Sequence, residues 1–377
     1  MQIKIGILSA ALIANDFIIS LRNVDPSHYK FVAIGASTLE SAKAFALKHN
    51  IPKAYGSYEE LCKDEEIDLV YICNRNLMHF AAAKLAIENK KHVLVEKPFT
   101  IDPDTSKELF ALGKKHGVFV MEALWSRFLP SYYTVREIIN SGQIGDVLHI
   151  SAHHFTSNFN DRLCLKRMGG GVTADMGVYA LNSIFEGVGY QKPTNIKAFG
   201  RLSMPGESET SVTAILDFPN GATATMMLSA RLGTRQYLDK IRIVTYIGTT
   251  GYLKVVDSIN NPTSLEVNGK VIDTNVNDNR IGYNWPISHG LHYQFTEVRN
   301  CIMDGQLTSS LHTSKNTILL TETIRKVVEE VGAEVEETPR ELVAQYYGKS
   351  NKLSASEPKS LCIPPTIYHG TTPRDGD

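Results

Sequence analysis

The sequence predicts an α/β protein, with a parallel-sheet domain first and an α+β domain with an open, mainly antiparallel sheet second. Early in the chain, short apolar and β-branched runs alternate with helical patterns, which is typical of βαβ units and a parallel sheet. Between about residues 193 and 273, strand-like runs are separated by turn signals such as PNGA and GTTG, which favours antiparallel pairing. The chain of 377 residues is long enough for two domains.

The first domain is predicted over residues 1–122, where each strand-like run is followed by a helical one. IKIGIL, KFVAIGA, DLVYIC and HVLVEKP read as strands, and VFVME closes the series. The segments LESAKAFALKHN, HFAAAKLAIENK and DTSKELFALGKKHG have the spacing of apolar residues that helices show. This order predicts a parallel sheet with helices on its faces.

The second domain is predicted over residues 123–345. SYYTVREIINSGQIGDVLHISAHHF reads as a helix, a glycine turn and a long strand, and GGGVTADMGVYALNSIFEG reads as a loop leading into a helix. HGLHYQFTEVRNCIMDG and NTILLTETIRKVVEEVG follow as two helices. Residues 346–377 are polar and contain proline, so we expect a flexible tail or an arm over a neighbouring subunit.

The composition is that of a soluble globular enzyme. The net charge of -1 lacks the basic footprint of a nucleic-acid-binding protein, and no apolar run is long enough to span a membrane. The N-terminus enters a strand-like run without a signal-peptide pattern, so we expect a cytoplasmic protein. The five cysteines form no C-x-x-C pair, so neither a metal site nor a redox dithiol is predicted.

The opening stretch KIGILSAALIAND resembles a dinucleotide-binding turn with reduced glycine content. We expect Gly6 where the first strand turns into the first helix, with the pyrophosphate on that helix N-terminus. Ser9 and Ala11, which stand where glycine is usual, are the smallest substitutes, and Leu12 and Ile13 open the helix.

The end of the second strand reads Gly35-Ala36-Ser37-Thr38 and has no carboxylate there. An NAD site usually carries Asp or Glu at this point to bind the ribose 2′-OH. Its absence lets a 2′-phosphate approach, and two hydroxyls could bind it, which predicts a preference for NADP with NAD as the alternative cofactor. Ser37 and Thr38 could equally cap the next helix.

Three residues form the predicted chemical cluster. Lys97 precedes Pro98 at the carboxyl end of a parallel strand, where ligands bind in open α/β sheets. Asp175 and Tyr179 are four residues apart on a predicted helix and therefore share a face. A phenol becomes a proton donor or acceptor near neutrality only when positive charge stabilises its phenolate, and Lys97 supplies such a charge.

These motifs together resemble the Gfo/Idh/MocA oxidoreductase family over roughly residues 3–335. The resemblance rests on Gly6 with its small-residue turn and Ile13-Ala14, on Glu96-Lys97-Pro98, and on Gly169-Gly170-Gly171 with Asp175. The segment MEALWSRFLP is similar to the branch that contains dimeric dihydrodiol dehydrogenase and D-xylose dehydrogenase.

The resemblance implies a Rossmann domain, an α/β domain whose open sheet often forms a dimer interface, and reversible hydride transfer between NAD(P) and a hydroxyl or carbonyl carbon. It implies Tyr179 as the acid/base, where many members have histidine, with Lys97 as its electrostatic helper and Asp175 beside it. The cofactor contacts that it implies are Gly6, Ser9, Ala11, Leu12, Ile13, Ser37, Thr38, Asn74, Arg75, His79, Glu96 and Lys97.

The resemblance further implies pocket aromatics at Trp125 and Phe155. Arg127 and Arg162 lie in motif-like segments, as pocket groups or as structural ion pairs.

The chain also departs from the family pattern. Asn74 and Arg75 stand where threonine or serine and then proline are common, so Arg75 either packs in proline's place at the adenosine edge or reaches a 2′-phosphate. His79 matches a family histidine, with a helix-cap or packing role as the alternative.

The resulting hypothesis is an NADP-preferring oxidoreductase that acts on a small sugar, trans-dihydrodiol or dicarbonyl and forms a homodimer or higher homo-oligomer through its C-terminal sheet. One alternative is a non-catalytic nucleotide-binding sensor of the same fold. Another is an NAD-dependent inositol- or glucose-type dehydrogenase, which Tyr179 and the missing acidic residue disfavour.

Overall fold

A six-stranded parallel sheet forms the N-terminal part of the computed structural model, which describes residues 2–156, 160–231, 242–276, 278–285 and 288–333. Its strands are β1 (Ile3–Leu8), β2 (Tyr29–Gly35), β3 (Lys53–Tyr55), β4 (Leu69–Ile72), β5 (His92–Glu96) and β6 (Val120–Ala123). They lie in the order β3-β2-β1-β4-β5-β6, and every neighbouring pair is parallel. The order reverses between β1 and β4, which places a ligand crevice at the carboxyl ends of these strands.

Helices connect the strands of this sheet. They are α1 (Leu12–Leu21), α2 (Leu39–His49), α3 (Tyr58–Lys63), α4 (His79–Glu88) and α5 (Pro103–His116). Local capping defines several starts: Thr38, Ser57 and Asp102 each accept a backbone N–H of the first turn that follows. All four residues of β4 are buried, as expected for a central strand covered on both faces.

The second part of the chain forms an eight-stranded sheet in the order β14-β13-β12-β11-β7-β10-β9-β8. Its strands are β7 (Val147–Phe155), β8 (Asn195–Leu202), β9 (Glu209–Asp217), β10 (Thr223–Ser229), β11 (Val244–Gly248), β12 (Tyr252–Val255), β13 (Ser264–Val267) and β14 (Lys270–Asp273). All neighbours are antiparallel except β7 and β10, which run parallel.

One face of this sheet carries helices, and the other, which we call the open face, is covered by none of the described helices. The helices of this part are α6 (Pro130–Asn140), α7 (Asp161–Cys164), α8 (Val178–Val188), α9 (Leu291–Met303) and α10 (Ser314–Val331). α8 packs on β7, β10 and β11, and α10 packs on β8 and β9. Every residue of α8 is buried, because the helix lies between the sheet and α6. On the open face, Phe199, Ile215 and Met227 stay exposed.

The predicted fold class is therefore confirmed, including the parallel first sheet and the mainly antiparallel second one. The predicted tail at residues 346–377 lies outside the described residues, and the domain limits at 122 and 345 stay predictions. None of the described helices combines the length and the apolar character that crossing a bilayer requires. Among the described residues, His, Cys, Asp and Glu side chains form no cluster of three or more that could hold a metal ion.

Candidate active site

The turn between β1 and α1 is built around Ser9, which has a φ of +102°. Its backbone N–H donates to the Gly35 carbonyl at 2.9 Å, so the turn is tied to the end of β2. This is the left-handed region of φ that glycine adopts without strain, and serine here carries a conformational cost. Ser9 therefore occupies the position where the glycine fingerprint begins.

Gly6 is not part of that turn, so the prediction that it lies there is wrong. Gly6 lies inside β1, opposite Ala33 of β2 and Val70 of β4. A Cβ at this position would lie 2.7 Å from Cδ1 of Ile67, so a side chain would collide with the core. The glycine serves close packing beneath the sheet rather than approach of a phosphate.

The N-terminus of α1 is open toward a ligand. Ala11 is the N-cap residue and offers no side-chain acceptor, and in this fully described turn no acidic residue follows it. The first N–H groups, those of Leu12 and Ile13 included, thus meet no capping carboxylate, and the positive end of the helix dipole is available to an anion. Leu12 itself is exposed.

The end of β2 combines two hydroxyls with one acidic residue that the sequence analysis did not weigh. Ser37 and Thr38 are both exposed, and Thr38 caps α2 by accepting the Ser41 N–H at 3.2 Å. Glu40 lies in the first turn of α2. The absence of Asp or Glu directly after β2 favours a 2′-phosphate at this point. The carboxylate of Glu40 adds negative charge nearby and therefore disfavours it.

The segment after β4 contains Asn74, whose side chain is suited to bind a ligand, and His79, whose ring nitrogens both lie against backbone carbonyls. Both amide atoms of Asn74 are buried and find no hydrogen-bond partner in the described parts of the chain. The two ring nitrogens of His79 lie 2.8 Å from the Pro98 carbonyl and 3.1 Å from the Asn74 carbonyl. His79 joins the loops after β4 and β5, so its predicted role as a direct cofactor contact is wrong. Arg75 is exposed, with Nη1 3.8 Å from Sδ of Met168.

The predicted chemical cluster assembles at the end of β5. Lys97 Nζ donates to Oδ1 of Asp175 at 3.0 Å and to the Asp175 backbone carbonyl at 2.9 Å. Arg162 grips the same carboxylate with two bonds of 2.9 and 3.0 Å. Asp175 lies in a π-helical turn, Thr173–Gly177, that leads directly into α8. This turn, rather than α8 itself, presents the aspartate to both cations.

Tyr179 lies beside this ion pair, with Lys97 Nζ 5.1 Å from the centre of its ring. The indole Nε1–H of Trp125 donates to the Tyr179 hydroxyl at 2.9 Å. An indole N–H can only donate, so the phenol oxygen accepts this bond and its own proton stays free for another acceptor. Trp125 therefore orients the hydroxyl that the sequence analysis assigned to proton transfer.

The charges of the cluster stabilise one protonation state at neutral pH. Burial opposes ionisation of Asp175, but Lys97 and Arg162 outweigh it and hold the pKa of that carboxyl well below its usual range. Burial lowers the pKa of Lys97, whereas Asp175 and Tyr179 raise it more, so the ammonium stays charged. Burial raises the pKa of Tyr179 to about 12, although Lys97 pulls it down. Lys97 acts in the expected direction, but burial of the phenol is the larger effect.

Glu96, the last residue of β5, lies behind Lys97. Its carboxylate accepts the Tyr71 hydroxyl at 2.6 Å and the Lys97 backbone N–H at 3.3 Å. Burial raises the pKa of Glu96 to about 7, against the lowering effects of Tyr71 and Lys97. The carboxylate thus supports the strand end that carries Lys97 and titrates close to neutrality.

Arg127 is a structural residue, so its assignment to the substrate pocket is wrong. Its side chain is buried, with Nη1 2.8 Å from the Glu186 carboxylate and Nε donating to the Leu311 carbonyl at 2.8 Å. The guanidinium also stacks on the Tyr190 ring at 4.1 Å and bonds to its hydroxyl. The guanidinium joins α8 to neighbouring segments, and these contacts occupy it.

The strand β7 presents His154, rather than Phe155, to Tyr179. The His154 and Tyr179 ring centres are 6.0 Å apart, whereas Phe155 stacks on His153 on the other face of the strand. His154 Nδ1 lies 3.2 Å from the Met176 carbonyl, and burial lowers its pKa to about 3. Phe155, which was predicted to be a pocket aromatic, therefore lies on the face of β7 opposite Tyr179, as the alternation of side chains along a strand requires.

The glycine run before Asp175 is shaped by a buried carboxylate. Glu209, at the start of β9, accepts the Thr173 N–H at 2.9 Å. A Cβ on Gly171 would lie 2.6 Å from Oε1 of Glu209, and Gly171 has a φ of +109°. A Cβ on Gly170 would lie 2.8 Å from two backbone carbonyls. The glycines are therefore needed to bring the Asp175 turn close to the second sheet.

Comparison with protein families and with known proteins agrees with this geometry. The family model described as "Oxidoreductase family, NAD-binding Rossmann fold" matches residues 3–124, and the one described as "GFO/IDH/MocA C-terminal domain" matches residues 132–254. The trans-1,2-dihydrobenzene-1,2-diol dehydrogenase of Xenopus laevis is 33% identical over 333 residues, which cover 88% of this chain and 99% of the relative. The enzyme of the same name from Bos taurus is 34% identical over 337 residues, covering 88% and 98%.

Solved structures share the fold at lower identity. A levoglucosan dehydrogenase in complex with NADH and levoglucosan has a TM-score of 0.75 at 17% identity, covering 88% of this chain and 98% of that one. The aldose-aldose oxidoreductase from Caulobacter crescentus, complexed with glycerol, has a TM-score of 0.73 at 20% identity, covering 88% and 98%. At this identity the likeness concerns the fold alone.

Proposed function

Because this chain belongs to the Gfo/Idh/MocA oxidoreductase family, we propose that it transfers hydride between a nicotinamide dinucleotide and the hydroxyl or carbonyl carbon of a small sugar, trans-dihydrodiol or dicarbonyl. The observation that carries the proposal is the cluster of Lys97, Asp175 and Tyr179 at the carboxyl end of β5. A buried phenol beside a fixed ammonium is suited to exchange a proton with a substrate oxygen.

The residues at the crevice fit such a dinucleotide. The open N-terminus of α1 and the Ser9 turn offer backbone N–H groups to a pyrophosphate, and the unpartnered amide of Asn74 offers a donor and an acceptor on the same side of the sheet. When bound, the nicotinamide supplies or accepts the hydride. The chain itself supplies the proton and the charge that accompany the transfer.

In the reductive direction, Tyr179 donates its hydroxyl proton to the substrate oxygen. The phenol is protonated at neutral pH because burial raises its pKa, and its oxygen accepts a hydrogen bond from the Trp125 indole N–H. Lys97 stabilises the phenolate that forms, and Asp175 with Arg162 keeps the ammonium in place. In the oxidative direction Tyr179 first releases its proton to solvent, a step that Lys97 favours and burial opposes, and the phenolate then accepts the proton of the substrate hydroxyl.

We further propose that NADP is preferred over NAD. The support is the lack of an acidic residue at the end of β2 and the exposed hydroxyls of Ser37 and Thr38. Glu40 works against this preference through its charge, so we expect the discrimination to be small. Arg75 is exposed on the neighbouring loop and is the cation that we assign to the adenosine side.

We also propose that two copies associate through the open face of the second sheet. Phe199, Thr213, Met227 and His153 form one row across β8, β9, β10 and β7. Phe199 is 79% exposed and Met227 39%, and Ile215 and Ile247 on the same face are also exposed. An apolar sheet face of this kind is typical of an interface. The mass in solution, measured by light scattering, tests the association, and a monomer at micromolar concentration would contradict it.

A coupled absorbance screen tests the catalytic proposal. Purified protein is incubated with NADP⁺ or NAD⁺ and aldoses, anhydrosugars or trans-dihydrodiols, and with NADPH or NADH and dicarbonyls. We expect turnover with at least one class of substrate, and faster turnover with NADP(H), which carries the 2′-phosphate, than with NAD(H). Stoichiometric dinucleotide binding with no turnover across the panel would instead favour the sensor alternative.

A further inference from the structure

A segment of the second domain follows α1 from its C-terminal end to its N-terminal end. We call this segment the strap and define it as residues 280–285 together with Ser288. Nη2 of Arg280 donates to the Arg22 carbonyl at 2.5 Å, and Nε donates to Oδ1 of Asn23 at 3.2 Å. Further along, the Asn15 amide donates to the Gly282 carbonyl at 3.2 Å. The strap therefore runs antiparallel to α1 along its length.

The strap ends on a buried carboxylate of α1, Asp16. One oxygen of Asp16 accepts the Asn284 backbone N–H at 2.7 Å and its side-chain amide at 3.0 Å. The other accepts the Trp285 N–H at 3.2 Å and the Ser288 hydroxyl at 2.6 Å. Four donors of one short segment thus converge on one fully buried side chain. A charged acceptor makes such bonds about twice as strong as neutral ones.

The strap reaches the open end of α1, where the dinucleotide turn lies. The Asn284 amide also donates to the carbonyl of Leu12, the first residue of α1. Trp285 comes next in the chain and is 37% exposed, and Leu12 is exposed as well. The latch on Asp16 lies one helical turn from the N–H groups available to a pyrophosphate.

We propose that the strap is a cofactor-retaining element, in which Asp16 latches the segment so that Trp285 covers the dinucleotide at the N-terminus of α1. The inference rests on the proposed function, because it requires a dinucleotide on this turn. It assigns a cofactor contact to Trp285 and a positioning role to Asp16. Covering the diphosphate slows its release, so the main effect falls on the dissociation rate.

Tryptophan fluorescence gives a direct test, since the chain has only two tryptophans. In Trp125→Phe, Trp285 is the sole indole, and we expect NADPH to quench its emission and to receive energy from it. Stopped-flow displacement then measures NADPH release from the wild type, Asp16→Asn, Trp285→Ala and Ser288→Ala. We expect release about tenfold faster in Asp16→Asn and Trp285→Ala, with a smaller change in Ser288→Ala.

The variants separate a strap from a simple clamp between domains. Trp285→Ala keeps the backbone N–H that binds Asp16, so the latch remains while the cover is removed. Asn23→Ala is the matched control, because it removes a strap contact at the far end of α1. The proposal would be overturned if Trp285→Ala and folded Ser288→Ala both released NADPH at the wild-type rate. It would also be overturned if Asn23→Ala accelerated NADPH release as much as Trp285→Ala does. Absence of NADPH and NADH binding to the wild type would instead contradict the proposed function.

Discussion

The two ends of the candidate site use different chemistry. The end proposed for the dinucleotide is built mainly from backbone, the Ser9 turn and the open N-terminus of α1, with the side-chain amide of Asn74 beside them. The end proposed for proton transfer is built from charged side chains, with Lys97 and Arg162 both bound to Asp175 beside Tyr179. Backbone sites depend on φ and on close packing, whereas side-chain sites depend on residue identity. The second kind is therefore easier to predict from a sequence.

The largest expected effect is at Tyr179. Tyr179→Phe removes the proton donor and leaves the ring, so we expect kcat to fall by about 10²- to 10⁴-fold with the dinucleotide Kd little changed. Steady-state kinetics and NADPH titration measure the two quantities. Tyr133→Phe is the matched control, because Tyr133 is half-exposed on α6, outside the cluster. Comparable turnover by the wild type and Tyr179→Phe would assign the proton to another group.

The ion pair gives the next prediction, at Asp175. Asp175→Asn leaves the buried Lys97 and the half-exposed Arg162 without their counter-charge, which lowers the free energy of unfolding by about 3 kcal/mol. The pKa of Asp175 is depressed in the folded state, so its contribution is complete above the unfolded pKa of about 3.9 and is lost as pH falls below it. Urea unfolding measured from pH 6 to pH 3 should show that the difference in free energy of unfolding between the wild type and Asp175→Asn shrinks below about pH 4.

The matched control for Asp175→Asn is Asp257→Asn, since within the described parts of the chain Asp257 accepts from the nearby loop residues Ser258 and Thr263. An advantage that persists unchanged to pH 3 would show that the carboxylate is not held by the two cations. A stability equal to the wild type at pH 7 would have the same meaning.

The fold and the cluster were predictable for the same reason. The alternation of strand and helix patterns is local, and Lys97, Asp175 and Tyr179 are recognisable by residue type. Side-chain direction was harder: His154 rather than Phe155 meets Tyr179, and Arg127 turns into a buried ion pair with Glu186. The Arg127–Glu186 pair joins residues that are distant in the sequence, so no local pattern contains it, whereas the choice between His154 and Phe155 follows from strand alternation.

Gly6 and Ser9 test the backbone-built end of the site, because the sequence predicts both of them in the turn between β1 and α1. Gly6→Ala places a Cβ against Ile67 and should lower the free energy of unfolding by about 2 kcal/mol. Ser9→Gly removes a side chain at positive φ and should raise it by about 1 kcal/mol. The Kd for NADPH, compared at a temperature where all variants are folded, should change little in Gly6→Ala. If a fully folded Gly6→Ala variant lost NADPH binding, Gly6 would be assigned to the cofactor site after all.

The smallest expected effect concerns Glu40 and the choice between the two cofactors. Its carboxylate in the first turn of α2 repels a 2′-phosphate beside Ser37 and Thr38, so Glu40→Gln should raise the NADP-to-NAD ratio of kcat/KM by about fivefold. Asp104→Asn is the matched control, because Asp104 lies in the first turn of α5 and its loss weakens the helix N-terminus in the same way. A change confined to stability would appear in both variants, whereas a change in cofactor ratio should appear only at Glu40. An unchanged ratio in Glu40→Gln would mean that this carboxylate does not face the ribose, and the cofactor preference would then depend on the hydroxyls and on Arg75.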